Sequence, residues 1–148
     1  MLQVNSEVGR LRRVVVQPPG PAMDRMLPEH IVPESSGYLL FDDLVDTRLA
    51  AKEHAQLCEV LGAFAEVVVF QDLLAAALVS KAVAGELIEQ VALLHRLPER
   101  VVATLEALDP VALAATLIVG SEGGGEGPSL FPPAPNLIFT RDLAVVAG

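Results

Sequence analysis

Asn136, Thr140, Arg141 and Asp142 put four polar side chains into an otherwise apolar stretch, Pro135-Asn136-Leu137-Ile138-Phe139-Thr140-Arg141-Asp142. Leu137 to Thr140 reads as a short strand that delivers the Arg141–Asp142 pair at its end. In α/β proteins a strand end is rigid and opens onto a crevice, which is where working residues are usually placed. The chain carries a net charge of −9, with 19 acidic against 10 basic residues, and such a field attracts cationic ligands. Asn136 and Asp142 are equally at home as turn residues, and the residues alone leave both readings open. Gly148 follows Asp142 by only six positions. A site built here is therefore expected to draw on residues outside this sequence.

The other residue types that could do chemistry point to structure instead. The Gly-rich run Ser121 to Gly127 has no lysine, no strand before it and two glutamates that would repel phosphate, so it reads as a linker. The single cysteine, Cys58, lies on the border of an apolar helix face and reads as a buried structural thiol. His30, His54 and His95 have no metal-ligand spacing, and no metal or cofactor is expected. His54 reads as packing or capping within the core, and Asp42-Asp43 as the capping residues of a helix start.

Two β-branched runs should frame the first part of the chain. Leu11 to Gln17 is stopped by Pro18-Pro19-Gly20, and Glu66 to Phe70 holds three consecutive valines. Between them, Gly20 to Gly37 reads as loop and Tyr38 to Phe41 as a short apolar approach. A helix from about Val45 to Phe64 follows, with Ala50, His54, Leu57, Leu61 and Phe64 on its inward face. Four short helices come next. Asp72 caps the first, and Ala84, Leu87, Ile88, Val91 and Leu94 form the apolar face of the second. Pro98 opens the third, and Asp109-Pro110 and Gly120 bound the fourth. The expected organisation is a first α/β module over residues 1–71, an inserted helical subdomain and Gly-rich return over 72–128, and a return to the sheet over 129–148.

At 148 residues the chain can bury one core. Apolar residues make up 52% of it and mean hydropathy is +0.49, yet no run reaches the ~18 apolar residues of a membrane span. The first ten residues lack the apolar core of a signal peptide. The acidic balance argues against nucleic acid and anionic membranes as partners. One cysteine fits a reducing, cytoplasmic setting.

Three motifs, in order, carry a family resemblance. Ser6-Glu7-Val8-Gly9-Arg10-Leu11-Arg12-Arg13-Val14 resembles the opening strand of arginine deiminases. Leu39-Leu40-Phe41-Asp42-Asp43 with Ala51-Lys52-Glu53-His54 resembles their loop and first helix. Leu130 to Asp142 is similar to their Pro-Asn-x-x-Phe-Thr-Arg-Asp signature. The resemblance implies a five-bladed α/β propeller of ββαβ modules with an inserted helical bundle. It implies hydrolysis of L-arginine to L-citrulline and ammonia through a cysteine-linked amidino intermediate. By motif, Asp142 would grip the guanidinium, Asn136 would bond the α-carboxylate end, and Phe139 and Leu40 would line the pocket. The family's nucleophilic cysteine and its histidine and acid partners have no counterpart here. The expectation is an N-terminal portion, inactive alone, completed by further sequence or a second chain and associating into a homo-oligomer. The alternatives are a non-catalytic arginine-binding or protein-interaction module and, less well matched because of the helical insert, an amidinotransferase.

Overall fold

The computed structural model describes residues 8–33, 39, 41–122 and 129–143. The two valine runs form strands where the sequence places them. Arg13–Val16 is β1 and Glu66–Val69 is β2. They pair in parallel, with Arg13 opposite Glu66 and Val16 opposite Val69. The side chains of the first pair form an exposed ion pair at 2.7 Å. Parallel strands cannot be joined by a tight turn and need a crossover. That crossover contains a short helix, Pro21–Asp24 (α1), a 3-10 turn, Pro28–Ile31, and a long helix, Thr47–Gly62 (α2). Of the stretch 20–37, expected as loop, Pro21–Asp24 and Pro28–Ile31 thus form local helix, and 34–37 lie outside the described residues. Pro21 at its first helical position is preorganised for that turn, and Met23 and Met26 are buried beside it.

Asp46 caps α2, its Oδ1 accepting from the Arg48 and Leu49 N–H groups at 3.0 and 3.1 Å. Asp42-Asp43 therefore do not cap this helix. Asp43 instead accepts from the neighbouring Leu44 N–H at 2.7 Å. The inward side of α2 is also turned from the expected one. Ala50, His54 and Leu61 are half-buried as anticipated, together with Ala51 and Cys58. Leu57 and Phe64 face out, Phe64 with 72% of its surface exposed. The helix carries apolar residues around more than half its circumference, so periodicity alone does not choose which arc meets the sheet.

β2 runs straight into helix α3, Phe70–Leu78, one residue earlier than the strand was expected to end. Asp72 lies in the first turn and is not the cap. No side chain of the helix's own N-cap residue serves that role. Gln17, just past β1 and only 8% exposed, does so from a distance, accepting the Gln71 N–H at 3.1 Å. One of the unpaired N–H groups of a helix start is thereby satisfied by the neighbouring strand.

Helices α4 (Lys81–His95), α5 (Glu99–Glu106) and α6 (Pro110–Val119) complete the helical part. With α3 they bury Leu78, Ile88, Val101, Leu105, Leu113 and Ala114. Leu94, expected in this core, is exposed, and His95 instead approaches Phe131 with 6.0 Å between ring centres. Asp109 caps α6 by accepting from Val111 and Ala112, with Pro110 at its first position, as the sequence predicts. Gly120 ends that helix at φ +81°, and the chain pairs Ser121–Glu122 (β3) with Ser129–Phe131 (β4) antiparallel. The molecule is thus mixed α/β, mostly helical with small sheets. Among the described residues no helix is long and apolar enough to cross a membrane.

Two expectations concern substitutions and pH. A Cβ at Gly120 would lie 2.8 Å from the Phe131 carbonyl oxygen and 2.8 Å from the Pro133 nitrogen, both backbone atoms, at a φ that side chains resist. Gly120→Ala should lower stability by about 2 kcal/mol or more, read as the denaturation midpoint. Burial pushes the His54 imidazole below its ordinary 6.5. The unfolded chain then binds the proton more readily than the folded one, so this contribution is present above pH ~6.5 and is lost as pH falls. His54→Gln should flatten the fall in melting temperature between neutral and mildly acid pH. An unchanged pH slope would remove His54 from that account.

Candidate functional site

The segment expected as a strand, Leu137 to Thr140, is not one. It forms two consecutive 3-10 turns, Pro135–Ile138 and Thr140–Leu143, with the Phe139 N–H bonded to the Asn136 carbonyl at 3.0 Å. Pro135 opens the first turn with a φ suited to it. Among the described residues no strand runs alongside to supply the ladder bonds that an extended segment needs. The apolar run 144–147 lies outside the described residues.

The segment nevertheless lies against β1. The Thr140 hydroxyl donates to the Val15 carbonyl at 2.9 Å. The Arg12 carbonyl accepts from Glu66 on β2. Carbonyls alternate along a strand, so that of Val15 points away from β2. Thr140 therefore meets β1 on its open edge, as a side chain where a neighbouring strand would have offered backbone.

From that anchor the segment meets the loop before α2. The Phe139 ring, 44% exposed, lies with its centre 5.4 Å from that of buried Phe41. Ile138 and Leu39 pack on the same cluster of Met23, Met26 and Phe41. The structure thus joins two stretches about a hundred residues apart, the Leu39–Asp43 loop and the Asn136–Phe139 turn. Leu40 itself lies outside the described residues. The backbone of Asp142 belongs to the second 3-10 turn, and its carboxylate lies outside the described side chains.

Asn136 is half-buried, and its Oδ1 is buried without a hydrogen-bond partner among the described residues. A buried acceptor left unpaired costs about 1–3 kcal/mol, so such atoms are rare in folded proteins. The cavity between the end of β1 and this turn, lined by Gln17, Met23, Gln71, Pro135 and Ile138, measures about 40 Å³. Ligand pockets run to about 300 Å³ or more, so this space does not take an amino-acid substrate.

Two residues act through contacts that the sequence does not show: Gln17 reads there only as the end of a strand, and Thr140 as a polar residue whose bond to β1 exists only in the fold. Cys58 approaches His54, one turn away on α2, with its Sγ 3.5 Å from Nδ1. The pair is half-buried and far in sequence from the segment above. Among the described residues no three His, Cys, Asp or Glu side chains gather in a metal-holding arrangement.

No protein-family model matches the chain. Curated relatives do. An arginine deiminase of Rhodococcus erythropolis is 31% identical across 99% of this chain and 40% of its own length. One from Mycobacterium avium is also 31% identical, across 99% of this chain and 41% of its own. One from Staphylococcus haemolyticus is 36% identical across 61% of this chain. The chain spans about two fifths of the length of the first two.

The unpaired acceptor gives a stability test of its own. Asn136→Leu removes no hydrogen bond that the side chain makes among the described residues, so the melting temperature of the isolated chain should stay the same or rise. A marked fall would show that the amide supports the fold and is not held in reserve.

Proposed function

Since arginine deiminases are relatives of this chain along almost its entire length, we propose that it is the N-terminal part of an enzyme hydrolysing L-arginine to L-citrulline and ammonia. The observation that carries this reading is the meeting of the Leu39–Asp43 loop with the Asn136–Phe139 turn. The two motifs that resemble the family's pocket are far apart in sequence and adjacent in space, at the open edge of β1.

In this reading Asp142 grips the guanidinium. A planar guanidinium offers parallel N–H donors that a carboxylate accepts two at a time, in short, charge-assisted bonds. Holding the group in this way also presents its central carbon for attack. Asn136 bonds the α-carboxylate end of the substrate by donating from its Nδ2, since its Oδ1 and the carboxylate are both acceptors, and Phe139 and Leu40 flank the carbon stem. A cysteine outside this chain attacks the guanidinium carbon and ammonia leaves. Water then resolves the amidino intermediate to citrulline. Cys58 has no part in this, since it sits on α2 beside His54.

The remaining part of the enzyme comes from further sequence or from a second polypeptide. The whole would be a five-bladed α/β propeller in which residues 1–71 and 129–148 belong to blades and 72–128 form the helical insert. It would act in the cytoplasm. The small cavity at the turn supports the view that the pocket is completed from elsewhere.

The experiment is a citrulline assay on the chain alone and on the chain together with the rest of its enzyme. The chain alone should release none, and the assembled enzyme should turn over arginine. In the assembled enzyme Asp142→Asn should lower activity at least about thirty-fold, the equivalent of ~2 kcal/mol of lost ion pairing. Near-normal activity in that variant would remove Asp142 from its role. Arginine binding by the chain alone, with no turnover in any assembly, would favour a non-catalytic binding module.

A further inference from the structure

Phe139 and Thr140 stand where the two 3-10 turns of the candidate site meet, and each ties the chain to a different element. The Phe139 ring lies against Phe41, in the loop before α2, with 5.4 Å between ring centres. The Thr140 hydroxyl donates to the Val15 carbonyl at 2.9 Å, on the open edge of β1. These two contacts constrain the backbone differently. An apolar ring contact is non-directional and lets the segment slide or rotate. A hydrogen bond fixes both a distance and an angle. Thr140 is half-buried, and its β-branch restricts the rotamers open to the hydroxyl. Its acceptor belongs to a strand that is itself held on the other side by β2.

Thr140 also opens the turn Thr140–Leu143, whose backbone includes Asp142 two residues on. Two residues of 3-10 helix rise only about 4 Å, too short a span to absorb a shift at Thr140. We propose that Thr140 is a positioning residue: held on the Val15 carbonyl, it sets the place from which Asp142 grips the guanidinium. The inference rests on the proposed arginine reading and adds to it a residue that touches no substrate. A carboxylate that accepts two parallel N–H groups must be aligned with both, a geometry that tolerates little displacement. A misplacement of ~1 Å costs on the order of a hundred-fold in rate. A side-chain tether allows that alignment from a turn, with no strand ladder along the β1 edge.

The test uses the assembled enzyme, with citrulline release followed over a range of arginine concentrations. Thr140→Val keeps the shape of the side chain and removes the hydroxyl. It should raise KM and lower kcat/KM at least about ten-fold. A residue serving stability alone would reduce the active fraction, which lowers kcat at unchanged KM. Thr140→Ser restores the donor and should bring KM back to within about three-fold of the parent. Because Thr140 acts through Asp142, Thr140→Val in the Asp142→Asn background should add less than about two-fold. Circular dichroism checks that each variant is folded, and Thr140→Ala replaces the valine variant if that one is not. An unchanged KM without the hydroxyl overturns the proposal. So does a serine variant as impaired as the valine one, or a full-sized effect in the Asp142→Asn background. A damaging Asp142→Asn beside a harmless Thr140→Val refutes the positioning role alone. A harmless Asp142→Asn removes the grip itself, and the positioning role with it.

Discussion

Strand β1 is the constraint on which the rest of the structure depends. Its four residues are held on one side by parallel pairing with β2. On its other edge, the Val15 carbonyl takes the Thr140 hydroxyl. Just past its end, Gln17 supplies the cap that α3 lacks. Three parts of the chain, the crossover, the helical insert and the last turn, therefore take their positions from one short strand. Two parallel strands are not stable by themselves. They persist because α2 and α3 are joined to them directly and cover part of their faces.

The helical insert is stabilised differently. Its core of Leu78, Ile88, Val101, Leu105, Leu113 and Ala114 is made within four helices and closed by Phe131 from β4. Arg25 adds a tie back to the crossover by donating to the Val119 carbonyl at 2.8 Å, near the end of α6. The cluster of Met23, Met26 and Phe41 is smaller and depends on contacts between distant segments. The candidate site is attached to this second cluster. At its margin lie Phe139, 44% exposed, and the Asn136 Oδ1, buried and unpaired among the described residues.

The apolar outer side of α2 belongs to the same picture. Leu49, Leu57, Val60 and Phe64 are each more than half exposed. Contiguous exposed apolar surface on a soluble domain usually meets another protein surface. The chain spans about two fifths of its relatives' length, and in the proposed enzyme the other three fifths would be at hand to cover such faces.

The features that the sequence determined by itself are those decided within a few residues. Asp109-Pro110 start α6 and Gly120 stops it because these caps lie next to the helix ends they serve. The valine runs were legible as strands because β-branching acts locally, and Pro18 stops the first of them. The motif residues were likewise legible as types. What the tertiary structure decided needed a distant partner. Periodicity made α2 a helix but left its buried arc open, since that depends on where the sheet lies. Leu137 to Thr140 had strand composition, yet a strand requires a neighbour's backbone, and Pro135 with a bare edge favoured 3-10 turns. Gln17 capping α3 spans 54 positions and Thr140 reaching Val15 spans 125, distances over which only the folded chain brings groups together.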